Sequence, residues 1–358
     1  MNILLLQPGH SPLDLFDSSS PDEITRVGGG QKLSWRKIFS LARSFPTKST
    51  DLLVVTEREN ALFNQKDGWI RGAIRACKVF IQNPVDFLIL LLFAKAVSLR
   101  IPIAMINRSD NGRILAGSDW FYRRCHVCFI RELHPLPEIA LQDLFTPSGG
   151  NPQNNRRSRQ MISHVDPGCL STRDISKLHP ISLGIRPEAL TAIFPENTKT
   201  WDLFFSGDLH EKGLRGRLIE ELRSLVERKR WKVLIRDRLP FAEYLRCMAA
   251  SKLSFSPPGM GWDCWRHYEA MLAGSIPVMS YPTILQYQPA IDGEHCFYFA
   301  PEPGGLTRCL EKAMQHAERF PSMAEAGRRL VLEHHTYPKL RDYVIHKTIA
   351  ASKSTSPS

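Results

Sequence analysis

The stretch "KLSFSPPGMGWDCWRHYEAMLAGSIPVM", from Lys252 to Met279, contains one complete repeat unit of an α/β fold. The apolar strand "KLSFSP" is followed by a glycine turn, the helical pattern "CWRHYEAMLA" and a second apolar strand, "SIPVMS". Such an alternation is typical of a parallel sheet with helices on its faces. A helix that starts after a glycine turn presents free N–H groups and a partial positive charge, which suits a phosphate. The stretch therefore predicts an anion-binding site at the start of this helix.

The same alternation extends in both directions from this stretch. Before it come the strand "WDLFFSG", the helix "LRGRLIEELRSLVERK", the strand "WKVLIR" and the helix "PFAEYLRCMAAS". The chain opens with the strand "NILLLQ", a long loop, a glycine run and the helix "QKLSWRKIFSLARSF". The apolar runs "DLLVVTE", "DFLILLL", "PIAMIN" and "HVCFIREL" are interpreted as further strands, covered on both faces because they do not alternate with polar residues.

Length and pattern together predict two α/β domains. A chain of 358 residues with 43% apolar residues can bury two cores. We expect an N-terminal domain over residues 1–185, with a mobile loop at 146–160, and a C-terminal domain over residues 200–336. Residues 337–358 are predicted to form a helix and a disordered tail.

The charge balance predicts an anionic partner. Lys and Arg outnumber Asp and Glu by 47 to 36, giving a formal net charge of +11. Such a chain attracts phosphorylated substrates, nucleic acid or acidic membranes. Nucleic acid is not expected, because no recognised nucleic-acid module is present and the aromatic residues are not interleaved with basic ones. The basic run at Glu227–Lys232 either favours a helix C-terminus or contacts acidic lipid, so a peripheral membrane contact stays open.

The cysteines and the apolar segments predict a cytoplasmic protein, with possible contact at the inner face of the membrane. The eight cysteines have no framework spacing, and the apolar run at the N-terminus is too short for a signal peptide. The segment "FLILLLFAKAVSLRIPIAMI" is interrupted by Lys95, Arg100 and Pro102, so a strand, a helix and a second strand are expected there rather than a membrane span.

The glycine turn at Gly259 and Gly261 is similar to a dinucleotide-binding fingerprint but lacks two of its parts. Cys264 stands where the third glycine would allow close packing, and the strand that follows ends in Tyr281 without an acidic residue for a ribose. A nicotinamide or flavin dinucleotide site is therefore not expected.

The helix after the turn has two candidate ligand groups. Asp263 is expected to cap the helix and Gly274 to end it in the left-handed conformation. Arg266 and Glu269 are three positions apart and share a helical face, beside an apolar stripe of Trp265, Tyr268 and Leu272. Two interpretations remain open: a local surface ion pair, or a site in which Arg266 binds a diphosphate and Glu269 a ribose.

These residues resemble the nucleotide-sugar-binding segment of GT-B glycosyltransferases, and of exostosin-like ones in particular. The matching positions are Pro258, Gly259, Gly261, Asp263, Arg266, Glu269, Ala270, Gly274 and Pro277. Many GT-B enzymes have two glutamates eight positions apart here. Glu269 matches the second of these, but Gly261 stands where the first would be, which favours the exostosin-like branch.

The resemblance also implies roles for residues elsewhere in the chain. Gly207 and the cations Lys212, Arg215 and Arg217 resemble the loop that places positive charge against the donor diphosphate. In the first domain, Gly28, Gly29 and Gly30 resemble a glycine loop facing the cleft. The strand end at Arg131 and Glu132 is similar to a segment of exostosin-like transferases, and His10 is a further candidate on the acceptor side.

The family implies two Rossmann-like domains facing across a cleft, with the sugar donor on the second and the acceptor on the first. It implies transfer of a sugar from a nucleotide diphosphate donor to a glycan, a lipid-linked acceptor or a small molecule. Arg266 and Glu269 are the expected catalytic residues. No cofactor is expected, and no metal, because helix N–H groups and cations can stabilise the diphosphate and the sequence has no Asp-x-Asp. The alternative is a non-catalytic protein that binds a nucleotide or a glycan with the same fold.

Three other features are weaker candidates. The pair Cys125 and Cys128 has metal-ligand spacing, but a single pair without a second does not predict a zinc site. Glu333-His334-His335 lies near a helix end, where histidines are expected to be solvated. Asp17, like His10, lies in the loop after the first strand and is a candidate general base for acceptor activation.

Overall fold

The computed structural model describes residues 1–7, 15–16, 22–28, 33–57, 84–107, 109–110, 112–114, 118–141, 172–192, 199–210, 213–228 and 231–355. The chain divides into two compact units, Met1–Ile181 with Arg341–Ser358, and Ser182–Leu340. Each unit has its own parallel sheet, so the prediction of two Rossmann-like α/β units is confirmed. The predicted mobile loop, 146–160, lies outside the described residues.

The first unit contains a six-stranded parallel sheet in the order β2-β1-β3-β4-β5-β6. Its strands are β1 (Asn2–Gln7), β2 (Glu23–Gly28), β3 (Leu52–Thr56), β4 (Ile103–Asn107), β5 (Val127–Ile130) and β6 (Leu178–Pro180). Its helices are α1 (Trp35–Ser44), α2 (Pro84–Ser98), α3 (Asp119–Arg124) and α4 (Thr172–Ser176), with a 3-10 turn at Pro137–Leu141.

The core of the first unit lies between this sheet and its helices. Every residue of β3 and of β4 is buried, as expected for strands covered on both faces. Ile38 and Leu41 of α1 lie in the core, and Ala42, with Leu33 and Phe45 at either side of the helix, packs against it, so the apolar residues recur at the helical spacing.

Two predictions for the first unit are wrong. The run "DFLILLL" belongs to α2 and is not a strand, because a continuous apolar run does not distinguish a strand from a helix that is apolar on all sides. The loop predicted after β1 contains β2, an edge strand whose Glu23 is exposed. Polar and apolar residues are mixed along this edge strand and only its last two residues are buried, so it has no apolar run to reveal it.

Gly28 closes β2 in a position that only glycine can occupy. Its φ is +105°, and a Cβ at this position would lie 2.0 Å from the carbonyl oxygen of Gln7. Gln7 is the register partner of Gly28 at the end of β1, so the missing side chain lets the two strand ends approach each other closely.

The second unit contains a five-stranded parallel sheet in the order β11-β10-β9-β7-β8. Its strands are β7 (Trp201–Ser206), β8 (Val233–Arg236), β9 (Ser251–Ser256), β10 (Ile276–Ser280) and β11 (Phe297–Phe299). Its helices are α5 (Pro187–Leu190), α6 (Leu214–Arg228), α7 (Phe241–Ala249), α8 (Trp265–Leu272), α9 (Gly305–Gln315) and α10 (Phe320–His334), with a 3-10 turn at Ala317–Arg319.

The strand order of the second sheet fixes where a ligand site is expected. The chain passes from β7 outward to β8 on one side and returns on the other side of β7 as β9. The ends of β7 and β9 therefore flank a topological switch point, where ligands of open α/β sheets bind. Gly274 ends α8 with a φ of +70°, as predicted.

The last helix, α11 (Tyr337–Thr355), starts in the second unit and ends in the first. It continues well into residues 350–358, which the sequence predicts to be a disordered tail. Within the described ranges, no helix is both long and apolar enough to cross a membrane.

Candidate functional site

A cavity of about 350 Å³ lies at the C-terminal edge of the second sheet. Its walls come from the ends of β7 and β8, from α7 and from the first turns of α8, which places it at the switch point. The residues that line it are Arg186, Ser206, Gly207, Arg238, Leu239, Phe241, Tyr244, Cys264, Trp265, Arg266 and Glu269.

The guanidinium of Arg266 spans the two strands that flank the switch point. Nη2 lies 3.5 Å from the carbonyl oxygen of Ser206 at the end of β7, and Nη1 lies 3.4 Å from that of Pro257, just after β9. These contacts are long, and Nε has no hydrogen-bond partner among the described residues. Arg266 is therefore held in place with N–H groups left to donate to a better acceptor.

Gly207 makes room for this guanidinium. A Cβ on Gly207 would lie 3.3 Å from Nη2 of Arg266 and 3.1 Å from the ring of Phe205. The Arg266 guanidinium itself lies over that ring, 5.4 Å from its centroid. The glycine predicted as part of a donor loop thus lets the Arg266 guanidinium lie close to the end of β7.

Glu269 is buried and forms its ion pair with Arg186. Its side chain is 2% exposed, and Oε1 accepts from Nε of Arg186 at 2.8 Å and from Nη2 of the same residue. Oε2 accepts from the hydroxyl of Tyr244 at 2.9 Å. Among the described residues no ion pair joins Glu269 to Arg266, so the interpretation of a local surface pair is wrong.

The hydroxyl of Tyr244 stays protonated and donates to Glu269. Burial is the main cause that raises its pKa well above the usual range, and the Glu269 carboxylate raises this pKa further. The carboxylate is thus fixed by one cation and one neutral donor, with one lone pair of Oε2 still available as an acceptor.

Arg186 is held by aromatic rings as well as by Glu269. Its guanidinium carbon lies 4.2 Å from the centroid of Phe241 and 5.1 Å from that of Trp265. Its side chain is 34% exposed and lines the cavity. This arrangement fixes a cation at the cavity wall without covering it.

The cavity is electropositive. Three arginines line it, and Glu269 is the only acidic residue among the described residues of its wall. One of those arginines, Arg238, pairs with Asp208 at 3.1 Å, but both partners are exposed and this pair is weak. Guanidinium groups that line one cavity beside a helix start favour a ligand with several negatively charged oxygens.

The predicted turn before α8 is bound to α6 through Arg215. Nη2 of Arg215 donates to the carbonyl of Pro258 at 3.0 Å, and the N–H of Gly259 donates to the carbonyl of Gly261 at 2.9 Å. Arg217 is exposed on α6 and is not a lining residue of the cavity. Lys212 lies outside the described residues.

The prediction that Asp263 caps α8 is wrong. The N-cap of the helix is Cys264, whose side chain makes no capping hydrogen bond. Asp263 is buried instead, and it accepts from the backbone N–H of Leu183 at 2.7 Å and from the hydroxyl of Tyr268 at 2.6 Å. Its carboxylate links the start of the second unit to α8 through these hydrogen bonds and so stabilises the fold.

The residues of the first unit that were predicted for the acceptor side do not all lie together. Gly28 ends β2, whereas Arg131 and Glu132 follow β5, four strands away in the same sheet. Arg131 and Glu132 are both buried, and Nη2 of Arg131 pairs with Asp110. His10, Asp17, Gly29 and Gly30 lie outside the described residues.

The weaker candidates from the sequence, the cysteine pair and the histidines at the end of α10, mostly contribute to packing. Cys125 and Cys128 are buried, and burial is the main cause that raises the pKa of each thiol. No group of three metal-ligating side chains occurs in the part of the chain that the structure describes. The expectation of solvated histidines at the end of α10 is wrong for His335, which is 2% exposed and bonded to Ser182 and to the carbonyl of Gln288.

Sequence reasoning missed several residues of the cavity. Arg186, Arg238, Phe241 and Tyr244 line it but belong to no recognisable motif. Arg186 lies in the connector ahead of α5, where Pro187 marks only the start of a short helix. The one signal was the general rule that strand C-termini bind ligands, which points to the end of β8 and hence to Arg238.

Comparison with known proteins supports the same part of the chain. Residues 205–285 match the family model of the RXYLT1 C-terminal domain, which is exostosin-like. This range runs from the end of β7 to beyond β10 and includes Gly207, Arg215, Arg266 and Glu269. No curated protein matches the sequence of the chain.

Solved structures resemble the whole chain at low sequence identity. The N-terminal domain of Candida albicans trehalose-6-phosphate phosphatase aligns at a TM-score of 0.53 and 12% identity, over 98% of this chain and 97% of that one. An α-glucosyltransferase in complex with UDP-glucose and DNA containing an abasic site aligns at 0.50 and 9% identity, over 97% and 98%. Anabaena HepE in complex with UDP and glucose aligns at 0.47 and 13% identity, over 99% and 100%.

The predicted resemblance to GT-B glycosyltransferases is thus confirmed at the level of fold. The chain has the two parallel-sheet α/β domains of the GT-B glycosyltransferase fold, with an exostosin-like segment in the second.

Proposed function

We propose that the protein is a glycosyltransferase that moves a sugar from a nucleoside diphosphate sugar to an acceptor hydroxyl. The observation that carries this proposal is the electropositive cavity at the switch point of the second sheet, within the segment that matches the family model. A diphosphate supplies the several charged oxygens that such a cavity favours.

Arg266 is the proposed ligand of the diphosphate. Its Nε, which has no hydrogen-bond partner among the described residues, and its two long hydrogen bonds leave donors for phosphate oxygens. When the bond from the sugar to the diphosphate breaks, negative charge grows on the leaving oxygen. A fixed guanidinium and the start of α8 stabilise that charge without a metal ion. Arg215 and Lys212 are proposed as secondary cations of the same site.

Glu269 is the proposed ligand of the ribose. A carboxylate accepts hydrogen bonds from ribose hydroxyls, and Oε2 keeps one lone pair beside Tyr244 for one such hydroxyl. Arg186 and Tyr244 fix the carboxylate before the ligand binds, so little conformational entropy is lost on binding.

The acceptor is proposed to bind to the first unit, at the C-terminal end of its sheet. Arg131 and Glu132 are buried polar residues at this edge, where ligand contacts are common. A glycan, a lipid-linked acceptor or a small molecule would suit this role, in a cytoplasmic protein that needs no cofactor.

The test is sugar release from a panel of UDP-, GDP- and ADP-linked sugars, with and without a chelator. UDP-glucose is the first probe, because it is bound in the α-glucosyltransferase that shares this fold. We expect one donor to yield free nucleoside diphosphate and sugar, with a rate that the chelator does not change. Glu269→Gln should lose the activity, and Arg217→Ala, a change on the exposed face of α6, should keep it.

Two results would contradict the proposal. Saturable binding of a donor with no turnover in the presence of candidate acceptors would favour a non-catalytic binding protein. The absence of binding to every nucleotide in the panel would remove the nucleotide site itself.

A further inference from the structure

The helix α2 exposes apolar side chains on the side that faces solvent. Leu88, Leu92 and Phe93 lie in the core of the first unit. On the opposite side, Leu91 is 43% exposed, and Ala94 is exposed one turn further along. Lys95 and Ser98 follow on the same side, so this side of α2 combines exposed apolar side chains with a cation.

The outer face of α1 is strongly basic and carries an exposed aromatic ring. Arg36, Lys37 and Arg43 are all exposed, and the side chain of Phe39 is 64% exposed. The first and last of these cations lie about one turn from Phe39, so the ring is flanked by positive charge along the helix.

Contacts between the two helices place these exposed groups on one surface. α1 packs against α2, and Nζ of Lys95 donates to the carbonyl of Arg43 at 3.4 Å. Both helices follow strands of the same parallel sheet and run in the same direction. One turn before Arg43 lies Phe39, and one turn before Lys95 lies Leu91, so the two exposed apolar side chains fall at the same level.

This surface has no exposed acidic group on either helix. α1 contains no Asp or Glu, and the only acid of α2, Asp86, is buried. Exposed Lys48 and Arg100 follow the two helices and add further positive charge. The α1–α2 face thus combines exposed apolar side chains with cations that have no exposed acidic residue beside them on either helix.

We propose that the α1–α2 face binds a bilayer surface rich in anionic phospholipid headgroups. Such a surface offers negative charge to the cations and, just below it, an apolar layer for Phe39 and Leu91. Nucleic acid offers the charge without that layer. A second copy of the chain bound through its own α1–α2 face would bring the same cations close together, and these would repel each other. The inference does not depend on the proposed sugar transfer, because it rests on the first unit alone.

The test is cosedimentation of the full chain with two kinds of vesicle at low and at high salt. One kind contains phosphatidylcholine alone, and the other contains added phosphatidylglycerol. We expect binding to the anionic vesicles that weakens as salt rises, because the cations are screened. The double variant Arg43→Glu/Leu91→Ser should lower the partition coefficient by about tenfold or more.

A matched control variant changes the same types of residue elsewhere. Arg328→Glu/Leu332→Ser alters net charge equally on α10, where Arg328 is exposed and Leu332 is 41% exposed, and should bind like the wild type. Unfolding curves of both variants confirm that they are folded. Absence of binding to anionic vesicles at low salt overturns the proposal. Equal loss in both double variants also overturns it, as does self-association of the wild type that Arg43→Glu/Leu91→Ser abolishes.

Discussion

The guanidinium of Arg186 lies against the buried carboxylate of Glu269, with its Nε 2.8 Å from Oε1. This pair joins the start of the second unit to α8 at the wall of the cavity. It holds the acceptor oxygens of Glu269 in one orientation, and the stability of the second unit should depend on it.

Replacing Arg186 by Leu should lower the free energy of unfolding by about 2–3 kcal/mol, because the Glu269 carboxylate then stays buried with Tyr244 as its remaining partner. Urea unfolding followed by circular dichroism measures the loss. The double variant Arg186→Leu/Glu269→Gln should regain more than half of it, since no unpaired charge is left. Equal midpoints for the wild type and Arg186→Leu would contradict the structural role of this pair.

Gly28→Ala should destabilise the first unit by about 3 kcal/mol or more. The new Cβ would have to displace the carbonyl of Gln7 in a central strand, and the positive φ adds strain of about 1 kcal/mol. Gly213→Ala is the matched control, because Gly213 also has a positive φ but a Cβ added there would have no atom of the described residues within 4 Å. Thermal unfolding compares the two, and similar melting temperatures would show that the close approach of β1 and β2 is not required.

The stability of the second unit should fall as the pH falls from about 6.5 towards 4. Burial is the main cause that lowers the pKa of His335 to about 4, so the folded state keeps the ring neutral while the unfolded state binds a proton. The native state therefore loses roughly 2 kcal/mol between pH 7.5 and pH 5.

His335→Gln isolates this contribution. The amide can still accept from Ser182 and donate to the carbonyl of Gln288, but it does not titrate. Urea midpoints at the two pH values should show a smaller loss for the variant than for the wild type. An identical pH dependence would mean that His335 titrates with its ordinary pKa.

The strands and helices that could be predicted from the sequence are those in which the pattern of apolar residues along the element itself reflects which residues are buried. The strands β3 and β4 are largely continuous apolar runs, and the helical face of α1 repeats at the helix period. The edge strand β2 was missed because half of its residues are polar, and α2 was misassigned because its exposed side is apolar too.

The parts of the site that could be predicted lie within one strand–helix unit. Arg266 and Glu269 stand on one helix after a glycine turn, so their spacing alone placed them together. The partners of Glu269 could not be found in this way, because Arg186 is 83 residues away in sequence and Tyr244 is 25 away. Asp263 was misjudged for the same reason, since its partner Leu183 lies 80 residues earlier.

The measurement that tests the central claim most directly is calorimetric titration of the full chain with UDP and with uridine, in the wild type and in Arg266→Ala. If Arg266 binds the diphosphate, the variant should bind UDP at least about tenfold more weakly, because it loses a charge-assisted hydrogen bond of about 1.5–3 kcal/mol. Its affinity for uridine should stay the same. GDP with guanosine and ADP with adenosine extend the test to other bases. An unchanged affinity of Arg266→Ala for every diphosphate that the wild type binds would contradict the account.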